Sequence, residues 1–208
     1  MRSGALIVAG AAAALLSACG GGARQDASEP KGNFPVKIVT AAFPASQRLS
    51  QHTNLIITVQ NAGTKAIPDV ALTLFDAKDG PTAQAFGQNI EGNGLASRSR
   101  PVWIIDRPPG PCQYSCQQGG EGGAATAYTD TWALGRLGAG KTATFEFGVT
   151  AVKAGHFQIR YQVAAGLNGK AKAIDASGQE PTGIFNVTVA QTPAQAYVNN
   201  AGQVVTSQ

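Results

Sequence analysis

The sequence has little charge, and what charge it has is spread out. Only 13% of the 208 residues are charged, and the formal net charge is +4. Lysine and arginine are nowhere clustered, so the balance does not favour a nucleic-acid partner. A G-x-S-x-G motif, which marks the nucleophile of one large class of hydrolases, is also missing. No part of the chain after the first eighteen residues shows apolar residues at the 3.6-residue period of an amphipathic helix.

A long apolar run is missing as well. The longest uncharged apolar stretch, Ala5–Ala18, falls short of the about 20 residues that a membrane-spanning helix needs. It follows Arg2 and has the length of the apolar region of a signal peptide. It leads into Leu-Ser-Ala-Cys19, which resembles the lipobox of bacterial lipoproteins. That resemblance implies cleavage just before Cys19 and a diacylglycerol on its thiol.

The alternative is an ordinary secretory signal that a cysteine follows by chance. Charge, length, small residues and cysteine all fall in register, which favours the lipoprotein. Each buried CH₂ of an acyl chain adds about 0.8 kcal/mol of membrane affinity, so two or three chains give an effectively permanent anchor. We expect the protein on the extracytoplasmic face of the cell membrane or outer membrane, with no cofactor besides the covalent lipid on Cys19.

The remaining chain divides into a tether, one domain and a short end segment. Removing residues 1–18 leaves 208 − 18 = 190 residues, enough for one domain with a real core. Residues 19–33 lack periodicity and are rich in Gly, Ala and charge, which predicts a flexible tether. Residues 34–190 are predicted to form the domain. Residues 191–208 are predicted to be a polar tail or a small hairpin that turns at 199–202.

Alternation of apolar and polar residues predicts β-strands in this domain. Period-two alternation marks strands with one face on a core and the other in water, and Gly- and Asn-rich turns separate them. Many short strands without helices predict an immunoglobulin-like antiparallel β-sandwich of seven to nine strands. The alternating segments are 55–59, 70–74, 145–149, 157–163 and 185–189.

Two sequence stretches resemble bacterial Ig-like adhesion-type modules, such as the CARDB group. Residues 54–63 (NLIITVQNAG) and 67–74 (IPDVALTL) are similar to their V-x-N-x-G … I-x-x-V opening. Residues 137–147 and 154–161 are similar to their later strands. The likeness covers roughly Val36–Val163. It implies a binding or spacer domain on a cell surface, and it carries over no catalytic residues.

The run Gly135–Thr142 satisfies G-x-x-x-x-G-K-[ST], the phosphate-binding loop. That motif requires a helix directly after the Lys-Thr pair, so that the N–H groups of its first turn face the phosphates. The residues after Thr142 alternate as a strand does, and the hydrophobic strand ending in Asp106 precedes the loop instead of following it. We therefore predict a hairpin turn and no nucleotide.

Cys112 and Cys116 lie in a Pro- and Gly-rich loop, residues 107–125. In an oxidising compartment we expect a local disulfide between them. C-x-x-x-C also occurs in some copper chaperones, but on a thioredoxin-like scaffold, and His52 and His156 are distant from both cysteines in the sequence. A metal or redox site and free thiols are the alternatives.

Candidates for catalysis are few. Asp106, Glu121 and Asp130 flank the cysteine loop and could converge, although the rule that lone carboxylates are usually surface groups favours solvated loop charges. The segment from Asp76 to Gly80 resembles a calcium loop without its alternating oxygens and is predicted to be a turn. Trp103 and Trp132 are predicted to pack in the core, with an exposed binding anchor as the alternative. The sequence assigns none of these residues a catalytic or metal-binding role.

The sequence therefore predicts a lipid-anchored, non-catalytic module that binds an envelope protein or polysaccharide, or that acts as a spacer. The alternative is a redox or metal-binding envelope protein acting through Cys112 and Cys116. The third hypothesis is a hydrolase whose catalytic residues are dispersed along the sequence, because a fold does not fix function.

Overall fold

The computed structural model describes residues 28–78, 85–87, 100–110, 126 and 130–206. Within these ranges the regular structure consists of β-strands, and no helix long and apolar enough to cross a membrane occurs there. Four of the residues singled out from the sequence lie outside the described residues: Cys19, Cys112, Cys116 and Glu121. The strands are β1 Gly32–Ala42, β2 Ser46–Leu49, β3 His52–Asn61, β4 Ala71–Asp76, β5 Phe86–Gly87, β6 Trp103–Arg107, β7 Thr131–Ala133, β8 Thr142–Ala151, β9 Gly155–Ala164, β10 Ala171–Ile174, β11 Thr182–Pro193, β12 Ala196–Val198 and β13 Val204–Thr206.

Two sheets form a sandwich. Sheet one has the strand order β10-β1-β3-β8-β6-β5, and sheet two has the order β2-β11-β9-β4-β7. The long strands pair antiparallel, whereas β1 with β10, β2 with β11 and β5 with β6 pair in parallel. The pair β12–β13 is a separate hairpin after β11. This architecture confirms the predicted all-β, immunoglobulin-like sandwich.

The predicted alternation separates core from solvent. Along β3 the inward side chains of Leu55, Ile57 and Val59 are fully buried, while the residues between them are partly exposed. The ring of Trp132 in sheet two meets that of Phe147 in sheet one edge-to-face, with 4.9 Å between ring centroids. Burying each large apolar side chain contributes about 1.5–3 kcal/mol, so this alternation supplies the driving force that holds the sheets together.

The described residues contain more strands than predicted. Eleven strands make up the two sheets, against the seven to nine expected, because β2, β5, β7 and β10 have only two to four residues each. Such short strands carry no readable period. In addition, β1 begins at Gly32, two residues inside the segment predicted as tether. The end segment takes the hairpin form, turning between Val198 and Val204.

The sandwich has two distinct ends, which strand pairing defines. We call the end at which the chain enters β1 the proximal end, and the opposite end the distal end. At the proximal end β3 ends, and β8 and β10 begin. At the distal end β3 begins, β8 ends, and β11 pairs with the end of β2. Proximal residues include Gly32, Asn61, Thr142 and Ala171; distal residues include Leu49, His52, Trp103 and Ala151.

Candidate functional site

A cluster of charged and polar side chains lies on the outer face of sheet one, toward the distal end. Its centre is on β6, where the register with β8 shifts between Ile105 and Arg107. A β-bulge of this kind inserts one residue and re-aims the side chains beside it. As a result Asp106 and Arg107, which neighbour each other in sequence, both interact with side chains of β3 and β8 on the outer face. We call this group the His52–Asp106 cluster; its members are His52, Asn54, Asp106, Arg107, Glu146 and Thr150.

One carboxylate oxygen receives two hydrogen bonds in this cluster. Oδ2 of Asp106 lies 2.8 Å from Nδ1 of His52 and accepts a 2.8 Å bond from the hydroxyl of Thr150. An ionised carboxylate only accepts hydrogen bonds, so Nδ1 of His52 carries the proton. Partial burial pushes the pKa of Asp106 upward, but the bonds from Thr150 and His52 outweigh it and hold the pKa below its usual value.

A second ion pair adjoins the first. The guanidinium of Arg107 donates to Oε1 of Glu146 at 2.6 Å and to Oδ1 of Asn54 at 3.3 Å. Gly148 lies beneath both pairs, since a Cβ there would come 3.1 Å from the ring of His52 and 3.0 Å from Cβ of Arg107. Because glycine has no side chain, Gly148 leaves room for the His52–Asp106 and Arg107–Glu146 pairs to lie side by side.

The cluster presents hydrogen-bonding groups and charge to solvent. His52 and Asp106 have exposed fractions of 59% and 41%, so both reach solvent. Among the described residues no hydroxyl or thiol is hydrogen-bonded to the second ring nitrogen of His52, which an activated nucleophile would require. Within residues 28–78, 85–87, 100–110, 126 and 130–206, no group of three His, Cys, Asp or Glu side chains could hold a metal ion.

A shallow groove of about 350 Å³ lies on sheet two, also toward the distal end. Two cross-strand hydrogen bonds are at the groove: His156 Nδ1 to Thr188 Oγ1, and Gln158 Nε2 to Asn186 Oδ1, both at 3.0 Å. Lys78 also lines it. The groove therefore presents amide, hydroxyl, imidazole and ammonium groups to solvent.

The Asn-Ala-Gly motif, which carries the resemblance to CARDB modules, has a structural role. The side chain of Asn61 is fully buried and makes three hydrogen bonds. Its Nδ2 donates to the carbonyls of Lys65 and Leu137 at 2.9 Å, and its Oδ1 accepts from the N–H of Gly63 at 3.0 Å. The motif thus closes the turn after β3 and ties it to the segment before β8.

Both tryptophans are buried, as predicted. Trp103 is fully buried, and its indole N–H donates to Oε1 of Gln47 at 2.7 Å. Gln47 is itself buried and donates to the carbonyl of Pro44 at 2.9 Å. This chain of bonds joins β6 of sheet one to β2 of sheet two. Trp132 is the ring that packs on Phe147.

The structure places the two predicted carboxylates that it describes beside different sheets. Asp106 lies in sheet one with His52, whereas Asp130 directly precedes β7 of sheet two; Glu121 lies outside the described residues. Burial raises the pKa of Asp130 to about 6. Its Oδ2 is buried and has no hydrogen-bond partner within the described part of the chain. Asp130 is therefore a half-buried carboxyl, separate from the His52–Asp106 cluster.

The run Gly135–Thr142 forms a turn but not the predicted hairpin, because β7 before it belongs to sheet two and β8 after it belongs to sheet one. The motif at Asp76 also forms a turn where it is described. Residues 138–141 form a turn in which the N–H of Lys141 donates to the carbonyl of Gly138 at 3.1 Å. Strand β8 follows directly, and Gly140 has the positive φ of +70° that the turn needs. Oδ1 of Asp76 accepts from the N–H of Lys78, which starts a turn after β4; residues 79 and 80 lie outside the described ranges.

Sequence reasoning missed the pairing of His52 with Asp106. The two are 54 positions apart, and the bulge that turns Asp106 outward has no sequence signature in β6. The one usable signal was Gly148, a glycine in the middle of a predicted strand, because such a glycine often marks close approach of neighbouring groups.

Comparison with known proteins finds only structural similarity. No protein-family model matches the chain, and no curated protein matches it in sequence. The CARDB domain of the PF1109 protein from Pyrococcus furiosus is similar at 12% identity and a TM-score of 0.36, over 76% of this chain and 92% of that one. Native Escherichia coli alpha-2-macroglobulin is similar at 14% identity and a TM-score of 0.40, over 78% of this chain and 7% of that one.

A third similar structure is the complex of zinc 2-glycoprotein and prolactin inducible protein from human seminal plasma. It matches at 12% identity and a TM-score of 0.38, over 74% of this chain and 92% of that one. All three scores lie below 0.5. The class of the protein, an immunoglobulin-like β-sandwich, therefore rests on the strand order and pairing described above.

Proposed function

We propose that this protein is a lipid-anchored, extracytoplasmic binding module that does not catalyse a reaction. The observation that carries the proposal is the contrast between the two ends of the sandwich. The chain enters at the proximal end, where Glu29 accepts hydrogen bonds from the N–H groups of Asn168 and Ala171 at 2.7 and 2.6 Å. A lipid on Cys19, ten positions before Glu29, would thus hold the proximal end toward the membrane and leave the distal end facing away.

The distal half of the molecule carries two sets of polar side chains that are available for recognition. The His52–Asp106 cluster and the groove at His156 lie on opposite sheets, and both present hydrogen-bonding groups to solvent. Such groups suit an envelope protein or an envelope polysaccharide. Binding of this kind needs no cofactor, and the lipid on Cys19 supplies the membrane contact.

A redox or metal-binding function through Cys112 and Cys116 is the second candidate, and one observation favours it. Asp106, the partner of His52, precedes Cys112 by only six positions, so a histidine distant in sequence lies beside the strand that leads to the cysteines. Imidazole and thiolate are the ligands that soft and borderline metals prefer.

Metabolic labelling with a palmitate analogue tests the anchor. The wild-type protein should incorporate label and fractionate with membranes, whereas Cys19→Ala should remain unlabelled and keep its first 18 residues. The double variant Cys112→Ser, Cys116→Ser is the matched control, since it removes two thiols and should keep the full label. A labelled Cys19→Ala protein would overturn the anchor.

Thiol titration with metal analysis separates the binding module from the second candidate. A binding module should contain one disulfide between Cys112 and Cys116, no reactive thiol at these positions and no stoichiometric metal. Two free thiols and one equivalent of bound metal would favour the metal or redox function, provided that the double serine variant no longer binds the metal.

A further inference from the structure

Exposed sheet edges distinguish one side of this sandwich from the other. A strand at a sheet edge presents unpaired N–H and C=O groups, and proteins usually protect such edges with short strands, charges or bulges. In the described residues, four short strands cover or form edges: β2 and β10 with four residues each, β7 with three and β5 with two. Two longer stretches have no partner among the described strands, because β10 pairs with only the first four residues of β1, and β2 pairs with β11 only from Thr188 onward; we call these the open stretches.

The open stretch of β1, residues 36–42, carries protective features. Its register with β3 shifts between Ile38 and Thr40, which breaks the regular spacing of its backbone groups. Lys37 adds an exposed charge beside the shift. A bulge with a neighbouring lysine is a recognised way to discourage a further strand from pairing.

The open stretch of β11, residues 182–187, carries none of these features. It pairs with β9 in unbroken register from Thr182 to Val189, and residues 182–187 include no charge and no proline. Val39 and Ile184 are the large apolar residues that the two open stretches expose, at 51% and 45%. Of the two, only Ile184 lies on a regular, uncharged edge.

The direction of the free backbone groups follows from alternation. The N–H of Thr188 donates to the carbonyl of Ala45 on the β2 side, at 2.8 Å. Backbone groups of successive strand residues point to opposite sides, so those of Thr182, Ile184 and Asn186 also point to the β2 side. No strand of the described residues pairs with them there. The backbone groups of Gly183, Phe185 and Val187 face β9 instead.

We propose that residues 182–187 of β11 bind an extended segment of another polypeptide, which adds a strand to sheet two on the proximal side of β2. Strand β2 already pairs with the distal part of the same edge, so the added strand would continue its line. Affinity would come from backbone bonds to Thr182, Ile184 and Asn186, and selectivity from side chains at alternate positions. Ile184 on the outer face, and the partly buried ring of Phe185 on the inner face, favour a segment with apolar side chains on both.

A second copy of this chain fits the edge less well than a separate segment does. The antiparallel register that uses all three outward residues pairs Ile184 with Ile184 of the second copy. That register brings Glu180 opposite Thr188 of the second copy. The backbone N–H of Thr188 already donates to the carbonyl of Ala45, so it is not free to pair with Glu180. A short separate strand has no such conflict.

The proposal takes from the proposed function only that the domain binds a partner, and it does not depend on the lipid. Its first test is amide hydrogen exchange of the intact protein in detergent, read residue by residue by NMR. The amides of Thr182, Ile184 and Asn186 should exchange fast, and those of Phe185 and Val187 slowly. Slow exchange at all five positions would mean that another part of the chain covers the edge, and it would overturn the proposal.

The second test adds a capped peptide of alternating isoleucine and valine with two lysines at each end, so that apolar side chains lie on both faces of the added strand. Saturating peptide should slow exchange at Thr182, Ile184 and Asn186 by about tenfold or more. The same peptide, methylated on every backbone nitrogen between the lysines, is the control and should have no effect. Unchanged exchange with the first peptide, or equal protection by both peptides, would contradict strand addition.

Matched substitutions on the two open edges complete the test. Ile184→Lys should weaken binding of the peptide by about tenfold, whereas Val39→Lys, at a similarly exposed position, should change it less than about twofold. Equal loss in both variants would contradict the assignment to β11. Sedimentation of the protein without peptide tests the second copy: a dimer that Ile184→Lys dissociates would overturn the choice of a separate segment as occupant.

Discussion

The proximal and distal ends of the sandwich use their polar residues in opposite ways. At the proximal end, Asn61 is fully buried with three hydrogen bonds, and Glu29 holds two backbone N–H groups of the loop before β10. Toward the distal end, His52 and Asp106 lie on the outer face and remain open to solvent. Buried polar groups are costly to leave unpaired, whereas exposed ones are free to exchange water for a ligand. The difference places buried, structural polar groups at one end and solvent-facing polar side chains toward the other.

The interior of the distal end qualifies this contrast. Gln47 is buried there and links the indole of Trp103 to the carbonyl of Pro44. The distal end thus has a fixed interior under exposed polar groups. Substitutions at buried and exposed polar positions test this distinction.

The largest effect is expected at Asn61. Asn61→Ala leaves the N–H of Gly63 and the carbonyls of Lys65 and Leu137 without their side-chain partner in a buried turn. We expect the free energy of unfolding to fall by about 2–4 kcal/mol, measured by urea denaturation. Asn54→Ala, in the exposed cluster, is the control and should cost less than about 0.5 kcal/mol. Equal losses would remove the distinction between the two ends.

The next effect is expected at Gln47. Gln47→Leu keeps most of the side-chain volume but leaves the indole N–H of Trp103 buried without an acceptor. The free energy of unfolding should fall by about 1–3 kcal/mol, together with a change in tryptophan fluorescence. Gln60→Leu is a suitable control, because Gln60 is half-buried and its side chain makes only a 3.4 Å bond. A neutral Gln47→Leu would show that the link between the sheets adds no stability.

Asp130 is half-buried, between the buried and the exposed groups. Removing its charge should raise the free energy of unfolding, whereas the two substitutions above should lower it. Its pKa is raised to about 6 in the folded state against 3.8 ordinarily, so the folded protein loses stability as the pH rises from about 4 through 6. Asp130→Asn should raise the free energy of unfolding at pH 7.5 by about 1 kcal/mol, after allowance for solvent screening of this half-buried group. The gain should disappear below about pH 4.

Asparagine suits this test because Asp130 has a φ of +50°, which asparagine tolerates better than alanine does. Asp130→Ala is the matched control, since it removes the same charge but strains the backbone. Denaturation curves across pH 3–8 measure both. If Asp130→Asn is less stable than the wild type at pH 7.5, the carboxylate of Asp130 has a partner that stabilises its charge.

The smallest effect is expected at Asp106. Its pKa is below the usual value, so its contribution is present above about pH 4 and is lost as the pH falls through the lower, folded-state pKa. Asp106→Asn should cost less than about 1 kcal/mol at pH 7, because the group is exposed and screened. The wild type and the variant should converge once the pH falls below the folded-state pKa of Asp106. A loss comparable to that of Asn61→Ala would show that the cluster is part of the structural frame.

The alternation of long strands was sufficient to predict the fold, because period-two burial is a local property of each strand. Strands β3, β8, β9 and β11 show it directly. The short strands β5 and β7 could not be predicted, since two or three residues have no period and pair only where the larger sheet already exists. Gln47, a single polar residue in β2, likewise gives no sign in sequence that it is buried against Trp103.

The candidate site was predictable only in part. Asp106 was singled out for its position beside the cysteine loop, but its partner His52 lies on another strand, and a bulge decides that the two meet. The open edge of β11 was beyond sequence reasoning for a similar reason. Whether an edge is covered depends on where β2 stops, and β2 is too short to be recognised.

The central claim is that the lipid holds the proximal end toward the membrane, and the two ends of β8 allow a direct measurement. Lys141 precedes β8 at the proximal end, and Lys153 follows it at the distal end. The ten residues of β8 span about 34 Å. A fluorescent amino acid replaces one lysine or the other in the lipidated protein, and energy transfer to a dye in the vesicle membrane is recorded. We expect clearly stronger transfer from position 141 than from position 153. Equal transfer from both positions, or stronger transfer from position 153, would contradict it.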